Sequence, residues 1–284
     1  MSQFERRMRN LLIVIGALAA AGCADLSGVR EFASLSASIT GSSALSARWR
    51  DTQERLAKIP LPGDVPISVP TGDRTQAHEE TEKMLALVTT YMEVMGELAS
   101  DQLPRVDAQV SGLKAELNAL PGTPVNRQRV EAFGVVVSLL SKPLDAYRHL
   151  KVRELIAAAD PHLQAILAGL EALAGIYRAD LATERKIVKD WMALHLAGTP
   201  AGNTAADFLS RRYLSDLDRK YTEIEQGLDA YVKALRLIAA KHESLVNGLA
   251  TRQTIERTLP QLKAARRELI EARNRMSNAL AQRI

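Results

Sequence analysis

From Leu214 to Leu249 the chain repeats apolar residues in unbroken alternating steps of three and four: Leu214, Leu217, Tyr221, Ile224, Leu228, Tyr231, Leu235, Ile238, His242, Leu245 and Leu249. Residues three and four apart share one face of a helix, whereas a strand repeats every two, so eleven consecutive matches specify a helix. At 1.5 Å per residue the stripe is about 53 Å long. Gly227, Ala234 and Gly248 flank it on one side and Val232, Ala239 and Val246 on the other. A lone pair of coiled helices would carry charges at those flanks, so this helix is expected to meet several neighbours. His242 is the one polar member of the stripe. A polar residue in such a place fixes register, finds a buried partner or binds a ligand, and the first two outweigh the third.

The remaining segments repeat the same period between proline- and glycine-rich breaks. Pro60, Pro62, Pro66 and Pro70, with Gly63 and Gly72, make residues 60–72 an extended connector in which neither helix nor central strand persists. Pro121, Gly122 and Pro124 form a second break, and Gly198, Pro200 and Gly202 a third. Residues 73–119 read as one long helix kinked at Pro104, and residues 124–158 as a further helical segment interrupted by Pro143. Asp160-Pro161 reads as a helix start, with a capping aspartate before proline at the first helical position. Beyond Asn247-Gly248 the stripe slips register, which predicts a separate or bent C-terminal helix. The expected fold is all-α: a single elongated antiparallel bundle over 43–284, with about five or six long helices in coiled-coil-like packing.

The N-terminus carries a different signal. Arg6, Arg7 and Arg9 precede the 11 uncharged residues Leu11 to Ala21, too few for a permanent span, which needs roughly 20. The run closes on Ala20-Ala21-Gly22-Cys23, which resembles the lipobox of bacterial lipoproteins, with Ala20 where that family usually has leucine. The resemblance implies cleavage between Gly22 and Cys23 and a diacylglycerol on the Cys23 thiol. Residues 1–22 would be a removed signal peptide, and the serines that follow suggest a membrane tether over 23–42. Ala24 in place of aspartate implies the outer membrane, facing the periplasm. Each buried methylene contributes about 0.8 kcal/mol, so two or three chains hold firmly where one holds marginally.

Removing residues 1–22 leaves 34 basic against 32 acidic residues, a net of +2, which gives no reason to expect nucleic acid as a partner. Cys23 is the only cysteine, so the fold must be held by packing without an intrachain disulfide. His78, His149, His162, His195 and His242 are the histidines, and none belongs to the Glu-x-x-His pair of carboxylate-bridged metal bundles. His78 beside Glu79, Glu80 and Glu82 lies in a predicted first turn, where the helix dipole already favours acids. No serine sits in a Gly-x-Ser-x-Gly turn and no glycine-rich phosphate loop occurs, so no catalytic residue, metal or cofactor is expected. Two function classes remain. One is a lipid-anchored envelope module that scaffolds, spaces or inhibits a protein partner. The other is a carrier or sensor that holds an apolar ligand in the bundle, with Met84, Met92 and Met95 as an adaptable lining.

Overall fold

The computed structural model describes residues 27–40, 43–57, 72–99, 127–140, 148–197, 204–248 and 252–281, together with 111–112 and 115. Within these lie eight helices: α1 (Ser27–Thr40), α2 (Ala44–Arg50), α3 (Thr52–Ala57), α4 (Gly72–Ala99), α5 (Arg127–Leu140), α6 (Arg148–Ala197), α7 (Thr204–Gly248) and α8 (Arg252–Ala281). The architecture is an all-α helical bundle with no strand among the described residues. Residues 60–71 of the connector and Pro104 lie outside the described residues, as do Pro121, Pro124 and Pro143.

The expected heptad helix is α7, and with α6 it forms the long hairpin on which the bundle is built. The 50 residues of α6 and 45 of α7 correspond to about 75 and 68 Å. They run antiparallel, since Gln164 Nε2 donates to the Ala239 carbonyl at 2.9 Å near one end and Arg185 Nε to Asp218 at 2.9 Å near the other. Helix α8 turns back along α7 as a separate helix. There a Cβ on Gly227 would overlap that of Ala279, so glycine permits the close approach of the two backbones. One apolar core reaches from Val29 to Met276, with Tyr91, Ile166, Ile224, Ile238 and Leu269 among its most buried members.

Two sequence expectations are corrected. Residues 27–40 are not part of a tether; they are helix α1. Val29, Phe32, Ala33, Ser36, Ala37 and Thr40 are buried at helical spacing, and burying side chains the size of Val29 and Phe32 contributes about 2 kcal/mol each. Hydroxyls that suggested a leash are satisfied within the helix, those of Ser36 and Ser38 among them. Ser36 Oγ donates to the Phe32 carbonyl at 2.8 Å and Thr40 Oγ1 to that of Ser36 at 2.9 Å. Small residues let α1 lie close against α4: a Cβ on Gly96 would sit 3.4 Å from that of Ala33.

The second correction concerns Asp160-Pro161, which lies inside α6 and does not start it. An interior proline removes a hydrogen bond and costs about 3 kcal/mol. Ile156 and Ala159 before it and Leu163, Ile166 and Leu167 after it continue one buried face, and that burial outweighs the local stop signal.

Candidate functional site

Polar groups in the bundle interior gather into two networks, each centred on a carboxylate of α6. The first contains His242, which is completely buried. Its Nε2 lies 2.7 Å from the Tyr91 hydroxyl on α4, and its Nδ1 lies 2.7 Å from Asp160 on α6. Gln164 Nε2 also donates to Asp160, at 3.1 Å. An ionised Asp160 selects the Nδ1–H tautomer, so a neutral imidazole donates to the carboxylate and accepts from the tyrosine. The hydrogen bond from His242 holds the Asp160 carboxyl below the usual carboxylate range, against an opposing contribution from partial burial. Burial, and then the charge on Asp160, push the Tyr91 hydroxyl well above its ordinary value. The arrangement has the members of a proton relay, yet Tyr91 and His242 offer no accessible surface to a substrate. It acts as a three-helix pin joining α4, α6 and α7.

The second network lies 24 residues further along α6. Arg55 of α3 grips Glu184 with two parallel bonds, Nε to Oε1 at 3.0 Å and Nη2 to Oε2 at 2.9 Å, the fork geometry that suits a carboxylate. Arg55 also donates to the Arg48 carbonyl at 2.8 Å and to Thr52 Oγ1 at 3.0 Å, while the Tyr221 hydroxyl donates to Glu184 at 3.2 Å. Burial works against the Arg55 charge, but the bonds and charge of Glu184 outweigh it and the guanidinium is held up. One turn back, Asp180 accepts from Trp49 Nε1 at 2.7 Å and pairs with Arg74 at 2.9 Å. Burial raises the neighbouring Tyr177 hydroxyl to about 12. Together these contacts clamp α2, α3 and the start of α4 onto α6.

Sequence reasoning singled out His242 and missed Asp160, Glu184 and Arg55. A signal for Glu184 was present, since Leu181, Glu184 and Val188 form an apolar stripe interrupted by one acid. Of the remaining candidates, His78 lies 3.7 Å from Glu82 and its Nε2 lies 3.1 Å from the Arg50 guanidinium, a cation that disfavours a metal at that nitrogen. Among the described residues no group of three or more His, Cys, Asp or Glu is placed to hold a metal ion. Gly22 and Cys23, the expected cleavage and lipidation positions, lie outside the described residues. Among the helices described, none is long and apolar enough to cross a membrane.

Met84, Met92 and Met95 are buried core residues. The cavity beside Trp49, Leu85, Tyr177 and Tyr231 measures about 30 Å³, room for a water or two, whereas ligand pockets run to several hundred Å³. A larger recess of about 530 Å³ opens between α1 and α4, with a mixed wall in which Arg30, Ser34, Ser38, Glu93 and Glu97 stand beside Ala37, Met92 and Gly96. Burial and the neighbouring charge of Glu97 raise the Glu93 carboxyl there.

Among the described residues, the most exposed large apolar side chains gather at the end of the α6–α7 hairpin. Leu194, Phe208, Leu209 and Tyr213 are 57–64% exposed, and no described side chain between Ala205 and Asp216 is buried. Comparison of the chain with protein-family models, curated proteins and solved structures returned no match.

Proposed function

We propose that this chain is a lipid-anchored, non-enzymatic interaction module of the bacterial envelope, held at the outer membrane through Cys23 and acting in the periplasm as a scaffold, spacer or inhibitor of a protein partner. The observation that carries this reading is the hairpin end, where four large apolar side chains lie exposed on two helices. A body of helices about 70 Å long holds that end at a distance. The interior favours an interaction module over a carrier, because Tyr91, His242 and Asp160, like Arg55 and Glu184, are occupied with one another and the cavity beside Trp49 measures about 30 Å³. The anchor rests on the lipobox-like sequence that ends at Cys23.

Metabolic labelling with an alkynyl fatty acid, followed by membrane fractionation, tests the anchor. The wild-type chain should carry label and sediment with the outer membrane, and Cys23→Ser should lose both properties or accumulate as precursor. An unlabelled wild-type chain, or a Cys23→Ser chain that fractionates like wild type, overturns the reading.

A further inference from the structure

We propose that the α6–α7 hairpin end pairs with the same hairpin end of a second copy, completing a four-helix bundle across a two-fold axis. The first observation is the lack of a core. Two helices side by side bury only the seam between them and leave their other faces open, and four-helix bundles cover a second face by packing two hairpins together. In the last two turns of α6 and the first three of α7, Met192 is the one described side chain that is buried.

The second observation is continuity with a seam already in the molecule. Ala205, Phe208, Leu209, Arg212, Tyr213 and Asp216 follow three- and four-residue steps and share one face of α7. Further along, the same face carries Gly227, Ala230 and Ala234, and there it is covered by the antiparallel α8. Helix α8 ends at Ala281, shortly after passing Gly227. A second copy's α7, running antiparallel as α8 does, would take up the vacated line. In the register centred between Ser210 and Arg211, Phe208 of each copy faces Tyr213 of the other. Leu209 then faces Arg212, whose aliphatic stem can cover it.

The third observation is charge. Residues 186–216 hold four basic and three acidic residues, and Arg211 is paired with Asp207 at 2.9 Å within its own helix. A net of +1 selects neither an anionic membrane nor a strongly charged partner, and it does not repel an identical surface. The exposed parts of the four apolar side chains amount to roughly 500 Å² per copy, so the pair with its polar rim falls at the lower end of specific interfaces. A reversible dimer of micromolar affinity is expected.

This inference deepens the interaction-module reading by naming a partner, but it concerns the folded bundle and needs no lipid. The mature chain carrying Cys23→Ser should therefore show it in solution, independently of the labelling experiment. Light scattering across concentration should show the apparent mass doubling. Phe208→Glu with Leu209→Glu should weaken association more than about thirtyfold, while Ile176→Glu, at an exposed position elsewhere on α6, should leave it unchanged. Circular dichroism and melting identical to the parent would show that the double variant is folded. With oxidised glutathione as the two-electron oxidant, mixing Phe208→Cys chains with Tyr213→Cys chains should give a mixed disulfide faster than either chain alone forms its own. A chain monomeric to 100 μM, on the order of a hundred times the expected Kd, overturns the proposal. So does a dimer that ignores the Phe208 and Leu209 substitutions, or a hairpin end that binds anionic vesicles in preference to itself.

Discussion

The two interior networks lie about 36 Å apart along α6; each contains a carboxylate of that helix and a tyrosine hydroxyl, and they differ in the third partner. At Glu184 that partner is a guanidinium cation, Arg55; at Asp160 it is an imidazole, His242. What each is attached to explains the difference. Arg55 belongs to α3, a helix of 6 residues next to the 7-residue α2, and short helices bury little apolar surface of their own. His242 belongs to the 45-residue α7, which the core holds along most of its length. The strong charged grip falls where apolar burial is scarce. The weaker grip falls where packing already suffices and register remains to be fixed.

The sharpest way to break this comparison is Glu184→Ala. The Glu184 side chain is 1% exposed and that of Arg55 16%, and removing one member of a buried pair leaves the other uncompensated, a cost of about 3–5 kcal/mol. Denaturant unfolding should show that loss, and hydrogen exchange should show faster opening of residues 44–57. A loss below about 1 kcal/mol would mean that the clamp behaves as a surface pair.

His242→Ala should cost about 2–3 kcal/mol, from the cavity, the unpaired Tyr91 hydroxyl and the bond lost by Asp160, which keeps its bond from Gln164. Exchange in residues 44–57 should stay as in the wild type. If the two substitutions open the same segment, the networks are one cooperative unit and the distinction between clamp and pin fails. Smaller still, Tyr91→Phe should cost about 1 kcal/mol and Tyr221→Phe about half that, because the Tyr91 hydroxyl makes a 2.7 Å bond and that of Tyr221 a 3.2 Å bond. Equal losses for the two would remove that ranking.

The slightest difference near neutrality emerges on titration. Asp160 is depressed in the folded state, so its contribution is fully present above the unfolded value of about 3.9 and disappears as pH falls through its lower folded value. Acid titration of stability should therefore be shallower in Asp160→Asn than in the wild type. At the other extreme the networks should behave alike. Tyr91 and Tyr221 are both raised, chiefly by burial, so their contributions are complete below about 10 and are lost as pH climbs further. Tyrosinate absorbance should rise together with unfolding; free titration of these phenols in the folded state would contradict their burial.

Periodicity made the long hairpin legible, because a stripe of eleven residues has one structural solution. His242 stood out by the same route, as a polar residue where the period demanded an apolar one. The partners did not, since Arg55 and Glu184 are 129 residues apart and Tyr91 and His242 are 151 apart, and a single sequence does not record such pairings. Asp160 was misread for a physical reason. Asp-Pro has the chemistry of a cap when considered locally, whereas a partner on α7 occupies its carboxylate and the core carries the helix through. The serines of α1 misled in the same way, because composition does not reveal that a hydroxyl can be satisfied four residues back in its own helix.

The burial of α1 alters the mechanics of the anchoring proposed above. A leash of twenty residues would let the body swing freely and meet partners far from the lipid. With α1 packed from Ser27 onward, a lipid on Cys23 would be followed by three residues before the bundle, a reach of about 10 Å when fully extended. The protein would then stand on the bilayer like a post set in its socket. Its orientation would be limited by steric contact with the headgroups, and the height at which its far surfaces meet other molecules would be set by the helices themselves.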